Sequence, residues 1–302
     1  MTALTIALDW TPNVNHIGFF VAKENGFYAD LGLDVSITTP ADDNYQVTPA
    51  KKVELGDADF ALCPTESVIS YQTKSEPFPL TAIAALLQTD LSAIVTKQGV
   101  GINSPKDLDG KLYASYQARY EDGIVMEMIK NDGGNGDLKI VYPEKLGIWD
   151  TVIEGTTDAT WIFENWEGVE AQNAGLPLNY FHLRDYNIPY SYSPVLVADG
   201  SKITANRDAY RAFLQATKKG FLYCQDQKKE VVDILRTQLI EDEKDFDLAS
   251  ALDATSSHFG DEQGWGRIDE SVLNTFLMWL RDKDLEHSEI TATELFTNEC
   301  LG

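Results

Sequence analysis

The stretch TIALDWTPNVNHIGFFVAKENG (residues 5–26) has the pattern of a strand, a polar loop and a helix in direct succession. Residues 5–8 are apolar and strand-like, and in residues 15–25 the large apolar side chains recur at helical spacing. A strand that leads through a short loop into a helix is the repeating unit of α/β folds. The stretch therefore predicts an α/β fold with largely parallel sheets.

The same alternation of strands and helices continues along most of the 302 residues. A single core stops growing near about 250–300 residues, so two lobes are expected. The pattern indicates that the chain leaves the first lobe near Gln88 and returns to it near Tyr192. Residues 1–88 plus 193–302 would form a discontinuous lobe one, and residues 89–192 lobe two. Two crossings predict a hinge, with a ligand in the cleft between the lobes.

The charge and cysteine content exclude several classes of function. Against 24 Lys and Arg stand 48 Asp and Glu, and the net charge of −24 argues against nucleic acid or anionic lipid as a partner. No apolar stretch approaches the ~20 residues that span a bilayer, so no membrane insertion is expected. Cys63, Cys224 and Cys300 are too dispersed for a metal motif or a complete disulfide framework. No signal peptide is recognisable, which predicts a cytoplasmic protein, or a periplasmic or extracellular one if a leader has been removed.

The sequence lacks the motifs of the common enzyme classes. It contains no G-x-S-x-G elbow, no phosphate-binding P-loop, no H-E-x-x-H and no G-x-G-x-x-G. His182, His258 and His287 have no acidic or cysteine partner at ligand spacing. We therefore predict no catalytic residues, no bound metal and no cofactor.

The loop of residues 9–16 follows the first predicted strand and holds Trp10, Asn13 and His16. Ligands of open α/β sheets bind beyond the carboxyl ends of the strands, which is the position of this loop. The alternative is a polar turn in which Asn15 caps the helix and Trp10 packs in the core. From the residues alone the two interpretations are equally supported.

A second candidate segment, WIFENWE (residues 161–167), ends a predicted strand of lobe two. The carboxylate of Glu164 can accept N–H donors from an amino-substituted heterocycle, while an indole stacks on its ring. We expect Glu164 and Trp166 to face the cleft and Trp161 to belong to the core. In the alternative interpretation, Trp166 only packs against the rest of the unit from a helix.

Two further loops carry polar residues at the ends of predicted strands. Thr65 is expected to cap the helix after the third strand, and Glu66 in its first turn complements the helix dipole. Tyr116 precedes another helix start, where an anion could bind, although a solvated loop is the favoured interpretation.

Four segments of the chain resemble the thiamine-pyrimidine-precursor binding proteins. They are LDWTPNVNH (8–16), VAKENGFY (21–28), GLDV (32–35) and WIFENWEGVEA (161–171). This group includes the formylaminopyrimidine-binding component of a bacterial ABC importer and the fungal hydroxymethylpyrimidine phosphate synthase. The resemblance covers roughly residues 4–235.

The resemblance implies a two-lobed, type II periplasmic-binding-protein-like fold with a hinge and an inter-lobe cleft. It implies a small-molecule ligand and, if the protein is exported, an ABC transporter as partner. The ligand contacts that the resemblance implies are joined by Thr65 and Tyr116 from the two loops above. The expected ligand-binding set is therefore Trp10, Asn13, His16, Thr65, Glu66, Tyr116, Glu164, Trp166, Tyr190 and Tyr192.

Two departures from the synthase argue against its chemistry. The fungal enzyme carries a lysine that holds pyridoxal phosphate after its third strand, where this chain has Cys63, and Lys52 and Lys74 lie outside that motif. Its cysteine-rich iron motif has no counterpart beyond Cys224 and Cys300.

We therefore predict non-catalytic binding of a small, flat, polar heterocycle. The alternatives are an enzyme of pyrimidine synthesis or salvage, and a binding protein for a sulfonate-like or nitrate-like anion on the same fold.

Overall fold

The computed structural model describes residues 1–301 and, apart from Leu146 and Asp242, their side chains. The chain forms two compact units. Unit 1 comprises Met1–Asp90, Tyr192–Ser271 and Glu289–Gly302. Unit 2 comprises Leu91–Ser191 and Val272–Ser288.

The ten strands of the described chain alternate with helices for the first two hundred residues, and the rest is helical. The strands are β1 Thr2–Ala7, β2 Leu33–Thr38, β3 Phe60–Cys63, β4 Leu80–Ala85, β5 Ser92–Lys97, β6 Leu112–Ala114, β7 Lys139–Val141, β8 Ala159–Phe163, β9 Leu178–Phe181 and β10 Val195–Asp199. The helices are α1 Ile17–Glu24, α2 Phe27–Asp30, α3 Pro49–Leu55, α4 Thr65–Thr73, α5 Glu121–Asn131, α6 Ile148–Glu154, α7 Val169–Asn173, α8 Gly200–Ile203, α9 Arg207–Asp226, α10 Lys228–Arg236, α11 Leu248–Thr255, α12 Glu270–Asp282 and α13 Ala292–Leu295.

Each unit is built on one five-stranded sheet. The strand order is β2-β1-β3-β10-β4 in unit 1 and β7-β6-β8-β5-β9 in unit 2. In unit 1, β1 pairs in parallel with β2 and β3, whereas β10 runs antiparallel to β3 and β4. In unit 2, β6 pairs in parallel with β7 and β8, and β5 runs antiparallel to β8 and β9. The predicted α/β fold is confirmed, but the sheets are mixed, because β5 and β10 run against their neighbours.

The core of unit 1 packs α9 against α1 and the sheet. Gly18 and Gly220 let the two helices approach closely, since a Cβ on Gly220 would lie 2.0 Å from the Gly18 carbonyl oxygen. Phe213 of α9 stacks on Phe60 of β3 with a ring-centroid distance of 4.1 Å. Such contacts of apolar rings, removed from water, hold the helix on the sheet.

The core of unit 2 lies between its sheet and helices α6 and α7. Ala93, Val95 and Ile162 from the sheet pack with Trp149 and Val152 of α6. Within residues 1–301, no helix has the length and apolar character to cross a membrane.

The division of the chain differs from the prediction in its C-terminal part. We expected all of residues 193–302 in lobe one, but Val272–Ser288 belongs to unit 2. There Glu286 forms an ion pair with Arg119 at 2.8 Å. The difference has a physical reason: contacts more than 160 residues apart leave no trace in local periodicity.

Candidate functional site

The sheet of unit 1 brings several predicted residues to one edge. The loops after the parallel strands β1 and β3 leave from the same edge, and the antiparallel β10 enters from it. Thr65 donates to the carbonyl oxygen of Tyr192 from its backbone N–H at 3.3 Å and from Oγ1 at 2.7 Å. These bonds tie the start of α4 to the segment before β10.

Asn13 organises the loop after β1. Its Oδ1 accepts from the Asn15 backbone N–H at 2.9 Å, and its Nδ2 donates to the Thr11 carbonyl at 3.1 Å. Asn13 therefore caps a short 3-10 turn, Val14–His16, that leads into α1, and Asn15, the cap in the alternative interpretation, does not. Because its side-chain amide bonds the loop itself, the structure favours a structural role for Asn13.

The imidazole of His16 is bonded within the same loop on both sides. Nδ1 accepts from the Asn13 backbone N–H at 3.2 Å, and Nε2 lies 2.8 Å from Asp9 Oδ1. Because Nδ1 accepts a hydrogen bond, we assign the ring proton to Nε2, which donates to the Asp9 carboxylate. The ring is 1% exposed, and both of its nitrogens are bonded within this loop.

The remaining predicted residues of unit 1 border this loop or α4. Trp10 is half-buried, and its ring meets Tyr45 edge-on at a centroid distance of 6.4 Å. Glu66 is buried in the first turn of α4. Thr65 is the first helical residue and Pro64 precedes it, so the predicted N-cap role of Thr65 is wrong. The buried Tyr192 hydroxyl accepts from the Asp269 backbone N–H at 3.1 Å.

In unit 2, the strands β6, β8 and β9 end at a common sheet edge. Glu164 directly follows β8, and His182 directly follows β9. Glu164 Oε1 lies 2.8 Å from His182 Nε2, and both side chains are partly exposed. One oxygen is thus held by the imidazole, and the other remains able to accept from a ligand.

Sequence reasoning missed His182, because its partner Glu164 lies 18 residues away. We saw no acidic or cysteine partner for this histidine at ligand spacing, but in the fold its Nε2 lies 2.8 Å from Glu164 and its Nδ1 lies 3.5 Å from Asp185. The available signal was its position just after a predicted strand, where site residues of α/β sheets collect.

The exposure of the two tryptophans of the second segment is the reverse of what we expected. Trp166 is 6% exposed, whereas Trp161 is half-buried and its ring lies 5.1 Å from that of Tyr190. Alternation along β8 puts Trp161 on the same face as Phe163 and turns Ile162 into the core. Trp161 and Tyr190 therefore form a partly exposed aromatic pair in this unit.

The loop that carries Tyr116 is held by the buried carboxylate of Glu121. This carboxylate accepts from the backbone N–H groups of Tyr116 and Ala118, at 3.0 and 3.2 Å, and from the Tyr113 hydroxyl at 2.9 Å. Burial raises the pKa of Glu121. Burial, together with the negative charge of Glu167, also raises the pKa of the half-buried Tyr116 hydroxyl well above its usual range.

A family model described as NMT1/THI5 like matches residues 13–231. The chain belongs to the NMT1/THI5-like family. The match confirms the resemblance seen in the sequence, and it spans both units.

The relatives of this chain include proteins named as binding proteins and proteins named as enzymes. The formylaminopyrimidine-binding protein of Halalkalibacterium halodurans is 24% identical over 312 residues, covering 99% of this chain and 90% of the relative. The 4-amino-5-hydroxymethyl-2-methylpyrimidine phosphate synthase of Legionella pneumophila is 24% identical over 246 residues, covering 77% and 72%. Among solved structures, the CA3427 gene product of Candida albicans, described as having the generic periplasmic binding protein fold, superimposes with a TM-score of 0.73 at 13% identity. That alignment covers 99% of this chain and 97% of the other, and it confirms the predicted periplasmic-binding-protein fold.

The end of β3 does not fit the pyridoxal phosphate that we associate with the fungal synthase. Cys63 is buried there, and burial, with the nearby carboxylates of Asp9 and Glu66, raises the pKa of its thiol. The nearest lysines are engaged elsewhere, since Lys52 pairs with Asp43 at 3.1 Å and Lys74 pairs with Glu54. A protonated thiol cannot replace the amine that forms a Schiff base.

Proposed function

We propose that this NMT1/THI5-like protein binds an aminopyrimidine precursor of thiamine and releases it unchanged. The observation that carries the proposal is the half-exposed Glu164 at the strand edge of unit 2. His182 fixes one oxygen of its carboxylate and leaves the other as an acceptor. The name of the formylaminopyrimidine-binding relative supports this ligand class.

The chemistry of an aminopyrimidine matches such an acceptor. Its exocyclic amine, and its ring nitrogen when protonated, present N–H donors along one edge of a flat ring. A charge-assisted hydrogen bond to a carboxylate is stronger than a neutral one. The faces of the ring suit aromatic stacking, for which Trp161 and Tyr190 of the same unit are the candidates.

The predicted site residues then divide by role. In unit 2 we propose that Tyr116, Glu164 and Tyr190 contact the ligand, because each is partly exposed at the strand edge or in the aromatic pair. In unit 1, Trp10 is the predicted residue that is partly exposed. The buried residues support the loops that carry them. These are Asn13, His16, Thr65, Glu66, Trp166 and Tyr192.

Calorimetric titration tests the proposal. We expect 4-amino-5-hydroxymethyl-2-methylpyrimidine to bind at one site with a Kd in the micromolar range or below, about −8 kcal/mol or stronger. Chromatography after prolonged incubation should recover the pyrimidine unchanged. Binding of an alkanesulfonate or nitrate in place of the pyrimidine would contradict the proposal, and so would conversion of the pyrimidine.

The alternative that the protein is an enzyme is tested separately, by its reaction with pyridoxal phosphate. Because the last residue of β3 is a cysteine, and Lys52 and Lys74 are paired with carboxylates, we expect no specific Schiff base when the protein is mixed with the cofactor. Absorbance spectra followed by borohydride reduction and peptide mapping measure this. A stoichiometric adduct on Lys52 or Lys74 would revive the synthase interpretation, whereas scattered labelling of exposed lysines would not.

The partner and the location depend on export of the protein. If the protein is exported, we propose an ABC transporter as its partner. If it is not exported, we propose that it binds the pyrimidine in the cytoplasm as part of metabolism. Fractionation of the native host, followed by immunodetection, distinguishes the two.

A further inference from the structure

Unit 1 has a second cavity, away from the residues discussed so far. It lies between α9, residues 262–267 and the pair Cys300 and Leu301, all of which belong to unit 1, and its volume is about 1170 Å³. None of the residues that we propose as pyrimidine contacts lines it. Small-molecule sites in proteins commonly measure ~300–1,000 Å³, so this cavity is large enough for an organic ligand.

The lining of this cavity reverses the charge balance of the chain. In the whole sequence, 48 acidic residues stand against 24 basic ones. Around the cavity, the cationic side chains are Arg211, Lys218, Lys219 and Arg267, and the anionic ones are Asp226 and Glu262. A locally positive surface on a protein that is negative overall attracts anions to that place.

Both lysines are engaged in contacts within unit 1. Lys218 Nζ pairs with Glu262 Oε1 at 2.8 Å, which fastens residues 262–267 to α9. Lys219 Nζ lies over the ring of Phe27, at 3.7 Å from its centroid. The lysines therefore contribute positive charge to the cavity, and the two arginines are the better candidates for direct contact with an anion.

The two arginines border the same short stretch of chain. Arg211 donates from Nε and Nη2 to the backbone carbonyl of Glu299, at 3.3 and 3.1 Å. Ile268, next to Arg267, donates from its backbone N–H to Asn298 Oδ1 at 3.1 Å. A guanidinium has five N–H donors, so the carbonyl uses only part of the capacity of Arg211. Among the described side chains, neither arginine pairs with a carboxylate.

The rest of the lining is apolar, and it includes a donor without an acceptor. Leu214 and Leu222 of α9 line the cavity together with Trp265 and Leu301. Trp265 is 2% exposed, and its buried indole N–H has no hydrogen-bond partner among the described residues. An unbonded buried donor costs free energy, and an oxyanion is the kind of acceptor that it lacks.

We propose that this cavity binds a small amphipathic anion, in which a carboxylate or a phosphate monoester is joined to an apolar body. Arg211 and Arg267 hold the anionic group, because guanidinium groups bind both kinds of oxyanion through paired hydrogen bonds. The leucines and Trp265 cover the apolar body. This site is separate from the proposed pyrimidine site, and the proposal does not depend on it.

Calorimetric titration with octanoate and with octyl phosphate tests the proposal, with 1-octanol as the neutral control. We expect at least one of the two anions to bind at one site with a Kd of about 100 µM or below. The comparison of the two anions tells whether the site prefers a carboxylate or a phosphate. 1-Octanol should bind at least tenfold more weakly, because it cannot form the charge-assisted bonds. Saturating 4-amino-5-hydroxymethyl-2-methylpyrimidine should leave the affinity for the anion unchanged.

Two arginine variants locate the site. Replacing both cavity arginines, Arg211→Gln with Arg267→Gln, should weaken binding of the anion at least 20-fold. Both side chains are exposed, so the melting temperature should stay within about 3 °C of the unaltered protein. Arg207→Gln is the matched control, because Arg207 lies one turn before Arg211 on α9 and pairs with Glu299 at 3.2 Å, but it does not line the cavity. This control should bind the anion within twofold of the unaltered protein.

Four results would overturn the proposal. They are no binding of either anion at millimolar concentration, equal binding of 1-octanol, equal weakening by the control and by the double variant, and displacement of the anion by the pyrimidine. The first three leave pyrimidine binding untouched, so they do not bear on the proposed function. Failure of the pyrimidine to bind, with the anion bound as expected, would overturn the proposed function alone.

Discussion

Replacing Glu164 with glutamine is expected to weaken binding of 4-amino-5-hydroxymethyl-2-methylpyrimidine at least tenfold. The amide cannot provide the charge-assisted bond, and a tenfold loss corresponds to about 1.4 kcal/mol. The melting temperature should stay within about 2 °C of the unaltered protein, because this carboxylate is partly exposed and its removal leaves no cavity. Calorimetric titration and thermal melts measure the two quantities.

Two further variants show whether the effect belongs to the pair of Glu164 and His182. The control Glu170→Gln removes a charge from the neighbouring helix α7. The Glu170 carboxylate accepts from the Trp149 indole N–H, and its replacement should leave the affinity for the pyrimidine unchanged. His182→Ala should weaken binding when Glu164 is present and have little further effect in Glu164→Gln. Such non-additivity identifies His182 as a positioning residue. Equal affinity of Glu164→Gln and the unaltered protein would remove this carboxylate from the site.

Gly220→Ala is expected to produce the largest loss of stability. The added Cβ would lie 2.0 Å from the Gly18 carbonyl oxygen, which belongs to the backbone of α1 and cannot rotate away. Separating α1 from α9 would open the aromatic packing behind them and cost about 3 kcal/mol, even after the better helix propensity of alanine. For a chain of this size we expect the melting temperature to fall by about 10 °C.

Gly147→Ala is the matched control, because nothing lies within 4 Å of its added Cβ. Its melting temperature should stay within about 3 °C of the unaltered protein. If Gly220→Ala unfolded at the same temperature as Gly147→Ala, the close approach of α1 and α9 described here would be incorrect. Circular dichroism, recorded during heating, follows both variants.

Local patterns were sufficient to predict the alternating elements and the loops at the strand ends. The segment of residues 5–26 shows why, since its periodicity changes at the loop and β1 and α1 lie on either side. Fine detail within the loop escaped prediction. Asn13 and Asn15 are both good capping residues, and only the folded backbone decides that Asn13 accepts the hydrogen bond.

Contacts between distant segments could not be predicted from the sequence. The bond between Glu164 and His182 depends on β8 and β9 ending at the same edge, which requires the strand order of the whole sheet. The exchanged exposure of Trp161 and Trp166 depends on which face of β8 is covered. The packing of Val272–Ser288 in unit 2 likewise depends on tertiary contacts.

The central claim is that this protein carries a thiamine-precursor pyrimidine as an unmodified ligand. Native mass spectrometry of protein purified from its own host, compared with the same sample after denaturation, measures this most directly. We expect a mass increment that matches an aminopyrimidine, lost on denaturation and identified by fragmentation. A released sulfonate or a covalently attached cofactor would contradict the account.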